Sequence, residues 1–156
     1  MNEEDIELIN ARGSAVEITA VNQKRNLKSL LKKLSPKLYP QSYVFSIVKT
    51  LPSGISPIAT FQEDEGLSLV LAKEQADALD LPYEGVFSRI TLQVQSSLEA
   101  VGLTGLVASE LAKNRISANF IAAVNHDHVF VPDKLKGEAL NVLLSLEADF
   151  LSGERK

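Results

Sequence analysis

The chain has 156 residues and a mass of 17.0 kDa, enough for one ordinary domain or for two very small ones that share a core. Its 45% hydrophobic and 23% charged residues match a folding chain rather than a disordered one, and a formal charge of −4 with a pI near 5.2 argues against an electrostatic surface for nucleic acid or membrane. Cysteine is absent, which excludes a disulfide framework, a thiolate nucleophile and a thiolate metal site.

The opening "MNEEDIELIN" is acidic, the opposite of the basic start of a signal peptide, and no apolar run approaches the roughly 18 residues needed to cross a bilayer. A cytoplasmic protein is expected. The β-prone run "AVEITAV" alternates only in part, so residues 1–25 are assigned to an N-terminal arm that either adds one strand or attaches loosely. Lys24, Arg25, Lys28, Lys32, Lys33 and Lys37 cluster next. Without interleaved aromatic residues they suit the solvated face of an amphipathic helix better than a strand-binding surface.

From Asn26, a capping residue, Leu27, Leu30, Leu31 and Leu34 recur at helical spacing until "SPKLYP" stops the helix. Three β-prone runs follow, "YVFSIV", "PIATFQ" and "LSLVLA", separated by "TLPSGIS" and "EDEG". "KEQADALDL" then predicts a short helix that ends before Pro82. Residues 26–84 form this first half.

The second half, residues 85–152, begins with "RITLQVQ", where Ile90, Leu92 and Val94 alternate with polar residues as a half-buried strand requires. "SSLEAVGLTGLVASELAKNR" predicts a helix with Leu103, Val107 and Leu111 on one stripe and Lys113 and Arg115 at its negative end. "ISANFIAAVN" and "HVFVP" form a hairpin pair. "DKLKGEALNVLLSL" predicts a last helix, with Leu135, Ala139, Val142 and Leu146 inward and Asp133 as N-cap. The order is β-α-β-β-α. A strand lent by the first half or by residues 15–21 would complete an α+β unit, β-α-β-β-α-β, with helices on one sheet face.

Taken in series, "EDEGLSLVL", "FSRITLQVQSSLEAVGL" and "HDHVFVP" resemble the small ACT-like proteins built of two ACT-related halves, and the ACT repeats of amino-acid sensors. The resemblance spans about residues 27–147. It implies two interlocked ferredoxin-like halves with antiparallel sheets. It also implies a non-catalytic regulatory or sensor module that binds a small molecule, often an amino acid, between ACT units, with no cofactor and as a homodimer.

The segment Ser96, Ser97, Leu98, Val101 and Gly102 lies where ligands commonly sit in ACT units. As a helix start it would offer unpaired backbone N–H groups and a positive dipole end to a carboxylate. Gly102 and Gly105, placed inside that helix, would allow close approach of a ligand or of another backbone. The bland alternative is an ordinary serine cap with a tight helix-to-sheet contact. An ammonium group would need an acid, and Asp64 and Glu65 beside Gly66 resemble the segment facing the ligand groove; without the resemblance they are a solvated hairpin turn. Asn119 on a second-half strand supplies a further polar contact or faces solvent.

His126 and His128 are the only histidines. On a continuous strand they would share a face and could chelate a metal, yet no third ligand is signalled, and Asn125 and Asp127 suit a hairpin turn. No G-x-S-x-G elbow, P-loop or H-E-x-x-H is present. The competing classes are a structural dimerisation module without ligand and an enzyme using His126.

Overall fold

The computed structural model describes residues 26–96 and 98–153, so the expected N-terminal arm and Ser97 lie outside the described residues. Residues 26–31 form helix α1. Then come β1 (Pro36–Val48), β2 (Ala59–Glu63), β3 (Gly66–Ala72), α2 (Lys73–Ala78) and β4 (Phe87–Leu92). The chain continues with α3 (Leu103–Lys113), β5 (Asn119–Ala122) and β6 (Asp127–Pro132), and a 3-10 turn (Asp133–Leu135) leads into α4 (Lys136–Ser152).

All six strands belong to one sheet in the order β2-β3-β1-β4-β6-β5, and every neighbouring pair is antiparallel. β1 is the long member. Its C-terminal part pairs with β3 from Tyr43↔Ala72 to Val48↔Leu67, while its N-terminal part pairs with β4 from Pro36↔Leu92 to Tyr43↔Phe87. Each half therefore completes its four strands by borrowing: the second half takes β1 and the first takes β4. The strand that the β-α-β-β-α pattern lacked comes from the first half.

Alternation along the strands separates two faces. Val44, Leu69, Leu71, Ile90, Leu92, Val129 and Val131 point to the side that carries the helices, where Ile90, Leu92, Val129 and Val131 meet Leu31, Leu34, Leu103, Val107, Leu111, Leu143 and Leu146, and Val44, Leu69 and Leu71 form a separate cluster with Ala76 of α2. Burial of one such side chain stabilises by about 1.5–3 kcal/mol. Tyr43, Val70 and Phe130 lie on the other face, packed with Phe45, Ala59, Phe87 and Ile121. Between β1 and β2 the chain runs through residues 49–58 without a helix, so α1 and α3 both serve the second half's core.

Two local expectations are corrected. α3 starts at Leu103 rather than at Ser96, because Gly102 takes φ 103°, a left-handed step that ends any helical path from upstream. Gly102 is the N-cap, not an interior residue, and a Cβ there would sit 2.9 Å from Leu27 Cδ2. Gly105 is in the first turn with open space around it, so it serves no close approach. Asp133 is likewise not a helix cap: no side chain caps the turn or α4, whose N-cap is Leu135. Its Oδ1 instead accepts hydrogen bonds from Ser88 Oγ at 2.6 Å and Ser42 Oγ at 3.1 Å, with Lys136 Nζ at 3.2 Å. That carboxylate joins β1, β4 and the start of α4.

Replacing Gly102 with Ala forces a side chain into the left-handed region and should destabilise by about 1–2 kcal/mol before the Leu27 contact is counted. Gly105→Ala should stabilise by about 0.5–1 kcal/mol. Urea unfolding of the two variants checks the opposite signs. The hydrogen bonds from Ser88 lead the causes that hold the Asp133 carboxyl below its ordinary value, so its contribution is complete above about pH 3.8 and is lost as pH falls through the lowered value. Asp133→Asn should lose about 1–2 kcal/mol at neutral pH and flatten the acid limb of the stability curve.

Candidate functional site

The connection from β4 to α3 forms a pocket of about 60 Å³ lined by Ser96, Leu98, Ala100, Leu103, Thr104, Ala122 and Asp127. Three elements build it. β4 delivers the chain to the loop, the left-handed step at Gly102 swings α3 back over the sheet, and the β5–β6 hairpin closes the far wall. The first amides of α3 have no acceptor within the helix, and the N-cap residue, Gly102, has no side chain to cap them. The first turn of the helix therefore presents donors and the positive end of its dipole beside the pocket. Asp127 stands opposite, on the helix-bearing face of β6, where register pairs it with Leu92 and Ala122. A carboxylate acceptor site and an ammonium acceptor thus share one small space.

Ser96 and Leu98 lie along the pocket, Val101 is exposed outside its lining, and Gly102 acts through the backbone. Asn119 lies elsewhere: it pairs with Phe130 on the helix-free face, three residues along β5 from Ala122. Asp64, Glu65 and Gly66 form the β2–β3 turn at the opposite edge of the six-stranded sheet. One chain does not bring that turn to the α3 pocket. The residue that sequence reasoning left out is Asp127, assigned to the hairpin turn although its period-two relation to Val129 and Val131 places it on the core side of the strand.

The hairpin turn also differs. Ala123 N–H donates to His126 O, so the reversal spans 123–126, and His128 is a strand residue on β6. His128 Nδ1 lies 2.9 Å from Thr91 Oγ1. Burial, then the charges of Arg89 and His126, hold its pKa below the ordinary histidine value. Among the described residues no three His, Asp or Glu side chains come together in a group able to hold a metal. A wider groove of about 650 Å³ opens where β1 parts from the chain leading into β4, lined by Phe45, Ser46, Ile47, Ser68, Pro82, Tyr83 and Glu84. It is open to solvent, whereas the smaller pocket is more enclosed and is the better candidate.

Residues 23–88 match one ACT-domain family model and residues 88–145 match another. The chain belongs to the ACT-domain family. The tandem ACT match accounts for the interlocked halves and places the pocket in the second ACT unit. A crystal structure of a Vibrio cholerae protein of unknown function, described as a possible transport protein, is 44% identical, covers 80% of this chain and 98% of its own, and superimposes with a TM-score of 0.73. A protein from Agrobacterium tumefaciens is 19% identical over 72% of this chain and 87% of its own, with a TM-score of 0.61. The regulatory subunit of aspartate kinase from Thermus thermophilus shares the fold at 9% identity and a TM-score of 0.56, covering 73% of this chain and 97% of its own. No curated protein matches the chain.

Because the folded His128 takes up a proton less readily than the unfolded chain, its neutral form adds stability in full above about pH 6.5, and that contribution is lost as pH falls toward the lowered value. His128→Gln should remove this slope. Urea unfolding of both proteins between pH 5 and 8 measures it.

Proposed function

We propose that this ACT protein is a non-catalytic regulatory module that binds a small amino acid at the β4–α3 loop of its second unit, as a cytoplasmic homodimer. The observation that carries the reading is the pairing of opposite polarity in one pocket: uncapped amides at the start of α3 for a carboxylate and Asp127 for an ammonium. The ACT family supports a regulatory role, and no helix among the described residues is long and apolar enough to cross a membrane.

A pocket of about 60 Å³ holds the head group of an amino acid and little more. The remainder of the ligand has to be covered from outside, and a second copy is the economical source. In such a dimer the Asp64–Glu65–Gly66 turn or Asn119 of the other copy would contribute what a single chain keeps apart. The same small volume favours one competing reading, a dimerisation module that has kept the fold and takes no ligand.

Calorimetric titration with the twenty amino acids separates the two. Saturable binding is expected for at least one of them. Asp127→Asn should weaken it about tenfold to a hundredfold through loss of a charge-assisted hydrogen bond, and Ala122→Phe should fill the pocket and abolish it. Heat for none of the twenty supports the ligand-free module. Wild-type affinity in both variants places the ligand elsewhere. Light scattering should give twice the 17.0 kDa chain mass.

A further inference from the structure

The helix-free face of the sheet carries a second polar constellation. Arg89 sits on β4 between register positions Leu38↔Ile90 and Ser42↔Ser88, so the single residue Arg89 faces three residues of β1, Tyr39, Pro40 and Gln41. Such a bulge lifts the strand and re-aims its side chains. Here it lays the Tyr39 ring on the guanidinium, with Arg89 Cζ 3.8 Å from the ring centroid, while Tyr43 approaches at 5.3 Å. Gln41 Oε1 accepts the Tyr43 hydroxyl, which ties the second ring to the same bulge.

Arg89 has no anionic partner among the described residues. The ion pairs among the described residues are Lys73–Asp77, Lys113–Glu110 and Lys136–Asp133, and the buried Nε of Arg89 lacks any hydrogen-bond acceptor. A lysine and a histidine stand near it instead. Lys37 Nζ lies 5.0 Å from the Tyr39 centroid, and His128, hydrogen-bonded to Thr91, lies two residues along β6 from Phe130, the register partner of Arg89. On the side of Arg89 away from Lys37 and His128, the partly exposed rings of Phe45 and Phe87 meet edge-on at 5.2 Å between centroids, and Phe45 also meets the buried Phe130 at 5.5 Å. Asn119, exposed and paired with Phe130, borders the patch.

We propose that Arg89, clamped by Tyr39 and Tyr43 and flanked by Lys37, His128 and Asn119, is a binding site for a small aromatic carboxylate on the helix-free face. A guanidinium fork matches a planar carboxylate through two parallel N–H···O bonds, and its stacking on tyrosine fixes the fork before the ligand arrives. The partly exposed rings of Phe45 and Phe87 take the ligand's ring by edge-to-face contact. After burial, the charge of Arg89 is the next cause that holds the His128 pKa below its ordinary value, which sets the two side chains in one electrostatic neighbourhood. This site faces away from the α3 pocket and does not depend on the amino acid reading.

Benzoate is the probe, followed by two-dimensional amide NMR of the full chain. Saturable shifts are expected at Lys37, Arg89, Thr91, His128 and Asn119, with inorganic phosphate at equal concentration leaving those signals in place. Arg89→Met keeps the length and apolar stem of the side chain and should weaken benzoate about tenfold or more; Arg89→Lys, which lacks the fork, should weaken it as well. If either fails to fold, Tyr39→Leu removes the clamping ring and should weaken binding several-fold. Absence of saturable shifts at these residues overturns the proposal. So does wild-type affinity in the folded variants, or phosphate shifting the same signals as strongly as benzoate.

Discussion

Everything in this fold hangs on the double use of β1. Its thirteen residues hydrogen-bond to β3 of one half at their C-terminal end and to β4 of the other half at their N-terminal end, so neither half closes its sheet alone. Backbone donors and acceptors in a sheet interior must be paired, and the shared strand is what pairs them across the junction. The carboxylate of Asp133 adds a side-chain tie at the same place by accepting from Ser42 on β1 and Ser88 on β4.

That junction also decides where chemistry can gather. With β1 and β4 in the middle, the β2–β3 turn and the β5–β6 hairpin are driven to opposite edges, and the acidic turn cannot reach the α3 pocket of its own chain. The helix-bearing face receives the uncapped start of α3 and Asp127, groups of opposite polarity in a small space. The other face receives Arg89 and Lys37, with His128 nearby and the Phe45, Phe87 and Phe130 cluster beside Arg89. Strand alternation is the cause: Arg89 and Thr91 fall on one side of β4, Ile90 and Leu92 on the other.

The bulge opposite Arg89 and the left-handed Gly102 are small departures from regular geometry with large effects. Extra β1 residues turn Tyr39 onto a guanidinium that a regular register would have left beside an ordinary neighbour. A positive φ at Gly102 shortens α3 and leaves residues 98–100 as a turn that walls the pocket. Both positions carry residues suited to the task. Pro40 donates no backbone hydrogen bond, and glycine alone adopts the left-handed region at little cost.

The sequence by itself determined the elements and their class. Helical spacing of the leucines before Pro36 and alternation in β4 were enough to announce an α+β chain, because local periodicity is written directly in which side chains must be buried, and the two ACT-like halves followed from the resemblance of its motifs to that family. Tertiary structure alone decided which half lends the missing strand, that Asp133 is a tie and not a cap, that α3 begins at Leu103, and that Asp127 rather than Asp64 or Glu65 shares the pocket with α3. Strand partnership and register are contacts between residues far apart along the chain, and no short window of sequence contains both partners.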